Sequence, residues 1–261
     1  MSEQDISLSE KRVYADATDA TTAFVGTASG AVRVSLSDDI VGEFSLEWNG
    51  QVTDVASADG RLAIATPDDV FVRSDGAFHE TEFGSASAVG YGEDGALLAA
   101  GDGRLARYDS GWEQLGALDD VRAIRGRMVA ARSGVHRLDG THVGLEDVRD
   151  ISTAGTPLAA TDSGLYYLAN GWMCDIKGSF SVVTSDGTAS HAATDETLYY
   201  SDGPEREWTA IELPVETPVR DVAYAGGIYA VTEDGTFLAN VGDGWRHRSL
   251  GVPGVTGMAV V

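Results

Sequence analysis

A self-similar unit recurs along this chain, and its periodicity constrains the fold more than any other feature. The stretch 219–238 reads VRDVAYAGGIYAVTEDGTFL, and close relatives of it begin at Val52, Val121 and Val148. Each copy consists of three short apolar runs separated by turns. Because a fixed repeat dictates the architecture of a chain, each copy is interpreted as one supersecondary unit.

The second apolar run of each copy sets the repeat length. It starts every 30 to 40 residues or so, as in known repeat architectures, at Ala23, Leu62, Leu97, Met128, Pro157, His191 and Tyr229. The runs are short, rich in Val, Ile, Tyr, Thr and Ala, and bounded by turn residues, which is typical of β-strands. The repeats are therefore predicted to be all-β units.

The dipeptide Asp-Gly marks many of the predicted turns. It ends at nine positions, namely Gly60, Gly76, Gly95, Gly103, Gly140, Gly187, Gly203, Gly235 and Gly244. Both residues tolerate positive φ, which a type I′ turn requires and which matches the twist of a tight hairpin. The units are thus predicted to be antiparallel hairpins joined by type I′ turns.

Seven four-stranded units predict a seven-bladed β-propeller. A lone four-stranded sheet cannot bury both of its faces, whereas a ring of such sheets can, because each covers its neighbour. The segment 254–261 resembles the first strand of a unit that has no continuation, and we expect this C-terminal strand to join the N-terminal blade and close the ring. The expected organisation is a polar N-terminal segment at 1–20 and a single propeller domain at 21–261.

The charge balance indicates the habitat of the protein. The chain has 41 acidic and 18 basic residues, a net charge of −23, and only two lysines, Lys11 and Lys177. Such a charge is self-repulsive at ordinary ionic strength, but at molar salt the Debye length shrinks to about 3 Å. We therefore expect a halophilic cytoplasm; an ordinary acidic protein is the alternative.

Two further features agree with a cytoplasmic location. No apolar stretch approaches the roughly 20 residues that span a bilayer, and residues 1–20 lack the apolar segment of a signal peptide. The only cysteine, Cys174, excludes an internal disulfide and is typical of a reducing compartment. Cys174 is interpreted as a small residue packed between blades rather than a nucleophile.

The short units, their T-x-[DE]-[GS]-like turn between second and third strands, and the Lys-poor acidic background resemble a family of small seven-bladed propellers from halophilic archaea. The resemblance covers nearly the whole chain and implies the fold, but no chemistry. The stretch SDGPEREW at 201–208 also resembles, loosely, the Asp-box turn of sialidase-like propellers. Asp-boxes are structural turns, so sialidase activity does not follow.

The predicted innermost strands carry the candidate binding residues. They align as VTDV, ASAV, VRAI, VRDI, FSVV, VRDV and VTGM. The second position holds Arg in three copies and the third holds Asp in three copies, namely Arg122, Arg149 and Arg220, and Asp54, Asp150 and Asp221. Because equivalent positions lie on one face, we expect the arginines to form an anion-attracting arc at the channel mouth, oriented by the aspartates. The alternative is that each Arg-Asp pair braces adjacent blades.

An arginine-rich segment is the second candidate. Residues 104–149 hold eight of the 18 basic residues, including Arg104, Arg107, Arg125, Arg127, Arg132 and Arg137. This sector is a possible docking surface for an acidic partner, and salt bridges between blades explain it almost as well. Nucleic acid is not expected to bind, because no basic run is interleaved with stacking aromatic residues.

Other residues favour structural roles. The five tryptophans repeat at similar outer positions and are predicted to pack between blades; they are Trp48, Trp112, Trp172, Trp208 and Trp245. The five histidines show no metal-ligand spacing, and no nucleophile elbow or phosphate-binding loop is present. We therefore expect no metal and no cofactor.

These patterns favour a non-catalytic binding or scaffold protein, with an unidentified protein partner, no membrane association and a monomeric ring. The alternative is an enzyme that acts on a small anionic substrate at the channel mouth. It would use Asp54, Asp150 or Asp221 as acid and base, with the three mouth arginines as clamps. The fold alone does not decide between them, because propellers support both functions.

Overall fold

Seven antiparallel sheets of four strands each make up the protein, as seen in a computed structural model that describes residues 21–37, 40–203, 205–242 and 244–261. The predicted N-terminal segment 1–20 lies outside the described residues. Within the described ranges every regular element is a strand. The seven-bladed propeller predicted from the repeat is confirmed.

Each blade except the first is built from four consecutive strands. Blade 1 begins with β1 (Thr21–Thr27), β2 (Gly30–Ser37) and β3 (Ile40–Asn49). Blade 2 contains β4 (Asp54–Ala58), β5 (Arg61–Ala65), β6 (Val70–Ser74) and β7 (Ala77–Glu80). Blade 3 contains β8 (Ala88–Tyr91), β9 (Leu97–Gly101), β10 (Arg104–Tyr108) and β11 (Trp112–Ala117). Blade 4 contains β12 (Val121–Arg125), β13 (Met128–Ala131), β14 (Gly134–Arg137) and β15 (His142–Gly144).

The remaining blades follow the same order. Blade 5 contains β16 (Val148–Ser152), β17 (Leu158–Thr161), β18 (Gly164–Leu168) and β19 (Trp172–Lys177). Blade 6 contains β20 (Val182–Ser185), β21 (Ala189–Ala193), β22 (Leu198–Asp202) and β23 (Thr209–Ile211). Blade 7 contains β24 (Val219–Tyr224), β25 (Ile228–Thr232), β26 (Thr236–Asn240) and β27 (Arg246–Ser249), and the chain ends with β28 (Val255–Val260).

The C-terminal strand closes the ring. β28 pairs antiparallel with β1, so that blade 1 has the order β28-β1-β2-β3. The backbone groups of Thr22 and Val261 exchange two hydrogen bonds, of 3.1 and 2.8 Å. β28 also contacts β24 of blade 7 and β4 of blade 2, as each innermost strand contacts its two neighbours. The predicted closure by 254–261 is confirmed.

The strand directions define two faces of the ring. All seven innermost strands (β4, β8, β12, β16, β20, β24 and β28) begin at one face, here called the mouth face, and end at the opposite face. The turn between second and third strands therefore lies at the mouth face, and the turn after the innermost strand lies at the opposite face. The position of a residue along its strand therefore shows whether it lies near the mouth face or near the opposite face.

The predicted type I′ geometry holds at three of the Asp-Gly turns. Both residues have positive φ at Asp59-Gly60, Asp75-Gly76 and Asp102-Gly103. At several other turns only the glycine does, as at Gly95, Gly140, Gly187, Gly203 and Gly235. The expectation was wrong for those turns, because longer loops place only the glycine in the left-handed region.

Seven hydrophobic clusters form the core, one between each pair of neighbouring blades. Tryptophans of the outer strands add to these contacts. The indole nitrogens of Trp112 and Trp172 donate to the carbonyls of Thr81 and Val143 in the preceding blades, at 2.9 and 3.0 Å. Trp208 donates to Asp175 of blade 5 at 3.2 Å. The predicted packing role of these three tryptophans is confirmed.

Cys174 lies elsewhere than expected. Its side chain is exposed on β19, the outermost strand of blade 5, and is not packed between blades. Its neighbour Met173 is exposed as well, because no strand covers the outer edge of β19 among the described residues. Within the part of the chain that the structure describes, there is no long apolar helix of the kind that spans a bilayer.

Candidate functional site

A cavity of about 450 Å³ opens at the mouth face, on the axis of the ring. Because the innermost strands all begin here, the second residue of each aligned copy faces the same space. All seven of these side chains line the cavity, namely Thr53, Ser87, Arg122, Arg149, Ser181, Arg220 and Thr256. The structure thus brings together the three arginines that the alignment singled out.

The three arginines have different surroundings. Arg122 is exposed, and its Nη1 donates to the carbonyl of Val148 in the next blade at 3.2 Å. Arg149 forms an ion pair through Nε with Asp162, which also lines the cavity. Arg220 is exposed and makes no ion pair within 4 Å with any residue that the structure describes. The cavity therefore holds guanidinium donors that are only partly used.

Hydroxyl groups brace the blades at the same level. Thr53 Oγ1 donates to the carbonyl of Ala86 at 2.8 Å, and Ser87 Oγ donates to that of Val121 at 3.0 Å. Both bonds reach the first aligned residue of the next innermost strand, as the bond of Arg122 does. The second position is therefore partly structural.

The three aspartates lie one residue deeper and bridge neighbouring blades through backbone amides. Oδ2 of Asp54 accepts from the amide of Val89 at 2.9 Å, and Oδ2 of Asp150 accepts from that of Val183 at 2.9 Å. Oδ2 of Asp221 accepts from the amide of Met258 at 2.7 Å. In each case Oδ1 accepts from the next amide of the same strand, at 2.8 Å.

This arrangement corrects one expectation. The aspartates do not orient the mouth arginines, because their oxygens accept from backbone amides, and the partner of Arg149 is Asp162. A carboxylate that bridges two innermost strands in this way satisfies amide groups that face the channel. The three aspartates of the innermost strands therefore brace neighbouring blades through Asp-to-amide hydrogen bonds rather than through Arg-Asp pairs.

Arg125 forms the waist of the channel together with the aspartates. Arg125, Asp150 and Asp221 line both the mouth cavity and a second cavity of about 430 Å³ that opens on the opposite face. Burial lowers the pKa of Arg125, but the charges of Asp150, Asp54 and Asp221 outweigh this effect and the pKa is raised. One guanidinium thus serves as the common counter-ion of three half-buried carboxyl groups.

The waist carboxyl groups have perturbed pKa values. Burial raises the pKa of Asp221 to about 7, and the charge of Asp150 adds to this effect. Burial also raises the pKa of Asp54 to about 6, against the opposing charge of Arg125. The pKa of Asp150 is likewise raised by burial. Near neutral pH Asp221 is therefore only partly ionised.

Gly257 leaves room for two of these carboxyl groups. A Cβ atom at this position would lie 3.3 Å from Oδ2 of Asp221 and 3.7 Å from Oδ1 of Asp54. Gly257 takes the third aligned position, which holds Asp in three other copies. The absence of a side chain in blade 1 therefore lets the aspartates of blades 7 and 2 flank the same point.

The second cavity has its own polar cluster. Tyr224 lines it and its hydroxyl contacts Nδ1 of His191 at 2.5 Å. Burial lowers the pKa of His191 to about 4, so the imidazole is neutral at physiological pH. Among the described residues, no group of three or more His, Cys, Asp or Glu side chains is placed to hold a metal ion.

The predicted docking sector is divided between the two faces. Arg104 and Arg132 lie at the mouth face, where Arg104 stacks over Phe83 and Arg132 pairs with Asp147 at 3.8 Å. Arg107, Arg127 and Arg137 lie toward the opposite face, and Arg125 points into the channel.

Acidic partners neutralise members of this sector. Arg107 pairs with Asp94 at 2.9 Å, and Arg127 pairs with Glu93 of the preceding blade at 3.5 Å. The six arginines thus form no single basic surface. Charge patterning along the sequence could not show this, because neighbouring residues of a hairpin end on opposite faces of the ring.

Two members of the site lie outside the set of mouth residues that the aligned positions predict. The sequence pattern assigns Arg125 to the docking sector. Ala123, however, occupies the third aligned position, which holds Asp in three other copies. Arg125 follows Ala123 by two residues, so strand alternation places both on the side that faces the channel. Asp162 comes from the turn after β17, and only the closeness of that turn to Arg149 reveals its role. Strand periodicity could have identified Arg125, whereas the role of Asp162 depends on tertiary contacts.

Solved structures with the same architecture are similar to this chain at low sequence identity. The WD40 β-propeller domain of Doa1 has a TM-score of 0.63 and 14% identity, and the match covers 89% of each chain. A chain of the nidogen/laminin complex has a TM-score of 0.61 and 11% identity, over 92% of this chain and 98% of the other. The computationally designed Ika8 protein has a TM-score of 0.60 and 15% identity over 90% of both. At these identities the likeness shows the fold alone.

No curated protein matches the chain. The sequence profile of one family, described as "Beta-prop_HVO_0234:-like, beta propeller", matches residues 7–261. This match includes all seven blades and the closing strand. The chain therefore belongs to the Beta-prop_HVO_0234-like beta propeller family.

Proposed function

We propose that the protein is a non-catalytic binding module whose mouth cavity receives an anionic group, such as an acidic side chain of a protein partner. The convergence of Arg122, Arg149 and Arg220 on one cavity carries this proposal. In a chain of net charge −23, four of the 18 basic residues line this space once Arg125 is included. A cavity with low-dielectric walls focuses the field of such charges.

The chemistry of the mouth suits a carboxylate or phosphate. A guanidinium donates two parallel hydrogen bonds to either group, and Arg122 and Arg220 keep such donors available. The hydroxyl side chains of Ser181 and Thr256 add neutral polar groups to the wall. Four acidic residues also line the cavity, but the raised pKa values of Asp54 and Asp221 reduce their negative charge at neutral pH.

The enzyme alternative has one observation in its favour. A carboxyl group with a pKa of about 7, such as that of Asp221, is matched to general acid-base catalysis at neutral pH. However, both oxygens of Asp221 already accept backbone hydrogen bonds, which holds the group as a brace. The binding role is therefore the better supported of the two.

The mouth arginines can be tested with a triple variant, Arg122→Gln, Arg149→Gln and Arg220→Gln. Tagged protein is isolated from its own cells in molar KCl, and co-purified proteins are quantified by mass spectrometry. We expect a stoichiometric acidic partner with the wild type and at least a tenfold loss of it with the triple variant, since each removed charge pair costs about 1 kcal/mol or more.

The matched control is the variant Arg107→Gln, Arg127→Gln and Arg137→Gln. It removes the same charge from the opposite face and is expected to retain the partner. Equal loss from both variants would contradict a site at the mouth. Chemical conversion of a small anion by the purified protein, abolished by Asp221→Asn, would support the enzyme instead.

We further propose that the protein works in a salt-rich cytoplasm. The excess of 41 acidic over 18 basic residues supports this, because salt screens their mutual repulsion. The melting temperature is expected to rise steeply between 0.1 and 3 M KCl, by about 10 °C or more, as several kcal/mol of repulsion are removed. Calorimetry across this range measures the effect, and a flat profile would remove the inference.

A further inference from the structure

The outermost strand of blade 1 differs from its six counterparts. β3 has 10 residues, whereas the outermost strands of the other blades have three to six. β3 is the last strand of its sheet, so that its outer edge has no neighbouring strand among the described residues. Unpaired amide and carbonyl groups along such an edge are a template for an added strand.

β3 also carries exposed apolar side chains. Ile40, Phe44 and Leu46 are 62%, 37% and 49% exposed, three of the five large hydrophobic residues exposed in the described ranges. Phe44 and Leu46 pair with Val34 and Val32, which belong to the core between blades 7 and 1. Since directly paired residues share a face of the sheet, Phe44 and Leu46 point toward the blade 7 side.

Blade 7 covers these side chains only in part. Its outermost strand β27 has only four residues, all of them exposed, and two of these are Arg246 and Arg248. The guanidinium of Arg248 lies 5.1 Å from the ring centre of Phe44, and its Nη1 donates to the carbonyl of Val41 at 3.1 Å. An apolar wall on β3 thus faces a basic wall on β27. We call the space between them, lined by Phe44, Leu46, Arg246 and Arg248, the rim groove.

We propose that the rim groove binds an extended segment of another protein that is both acidic and apolar, and that adds a strand to the open edge of β3. Its apolar side chains pack on Phe44 and Leu46, and its carboxylates reach Arg246 and Arg248. Charge complementarity selects this occupant, because Arg246 and Arg248 are two of only 18 basic residues in a chain of net charge −23, and both lie on the exposed strand β27. Strand addition supplies main-chain hydrogen bonds, and the side chains supply specificity.

A random dodecapeptide library displayed on phage tests the proposal. It is selected on the immobilised protein at the lowest KCl concentration at which the protein stays folded. The selected peptides are expected to carry apolar residues and Asp or Glu at positions two apart, because only alternate residues of an added strand face the groove. Leu46→Asp and Arg248→Glu should each weaken the binding of these peptides by about tenfold or more, as loss of a central contact does.

Matched controls lie on another blade and at the mouth. Met173→Asp changes an apolar residue that is 51% exposed on β19, and it is expected to leave peptide binding unchanged. The triple mouth variant is also expected to bind the peptides as the wild type does, which keeps this test separate from that of the proposed function. Melting temperatures of all variants confirm that each is folded.

Three results would overturn the proposal. One is that no peptides are enriched, or that Leu46→Asp and Met173→Asp weaken the binding of the enriched peptides equally. Another is a dimer in light scattering that Leu46→Asp abolishes, which would assign the groove to a second copy of the chain. The last is peptide binding that appears only after removal of residues 1–20, which would assign the groove to the chain's own N-terminal segment.

Discussion

Deleting residues 254–261 is expected to abolish cooperative folding. The deletion removes β28, which pairs with β1 and contributes the buried side chains of Val255, Met258 and Ala259. Burial of Val255 or of Met258 stabilises the protein by about 1.5 to 3 kcal/mol each, and the deletion also uncovers the cores that β28 shares with blades 7 and 2. A domain has a net stability of only about 5 to 15 kcal/mol. Circular dichroism and thermal unfolding measure the effect.

A circular permutant provides the control. It starts with residues 254–261, continues through a short Asn-Gly loop and then runs from Thr21 to Pro253. Thr22 and Val261 are directly hydrogen-bonded, so that a tight turn can join the two strands. This chain contains every strand and is expected to fold. A truncated chain that unfolds cooperatively at the wild-type temperature would contradict ring closure by β28.

The free energy of unfolding is expected to fall as the pH rises from 5 to 8. The pKa of Asp221 is about 7 in the folded protein and 3.8 in its ordinary environment, so the folded state holds more protons in this range. The stability that the protonated carboxyl group of Asp221 contributes is fully present below pH 4 and is lost as the pH rises through 7. One pKa unit corresponds to about 1.36 kcal/mol, and the expected loss is about 2 to 4 kcal/mol. Asp54, with a pKa of about 6, acts in the same direction, whereas His191, whose pKa is lowered from 6.5 to about 4, acts in the opposite direction and offsets part of the loss below pH 6.5.

Denaturant unfolding in 3 M KCl measures this dependence with long-range repulsion screened. Asp221→Asn should make the slope shallower without removing it, because the proton of Asp221 is no longer released while Asp54 still titrates. Asp186→Asn is the matched control: backbone hydrogen bonds hold the pKa of Asp186 below its usual value, so this group is ionised in both states throughout the range. If Asp221→Asn retained the wild-type slope, the waist would not be its origin.

The residue pattern of the innermost strands predicted much of the site. The alignment from VTDV to VTGM identified seven second-position residues, and all of them line one cavity. This succeeded because a repeat with constant strand length maps equal positions to equal places around an axis. The partners of these residues were not predictable. The Oδ2 of Asp54 accepts from Val89, which lies 35 positions away, and no spacing within one repeat encodes that contact.

Periodicity and turn chemistry therefore determine the number of blades, their four strands and the closure of the ring, since these follow from local patterns and from the need to bury both faces of every sheet. Contacts across the axis and along the rim arise only in the closed ring. In the closed ring Arg125 becomes the counter-ion of three aspartates from other blades. β3 is longer than the neighbouring strand β27 of blade 7, and Phe44 and Leu46 on it stay exposed. Both depend on distances between residues that are remote in the chain, which local sequence does not specify.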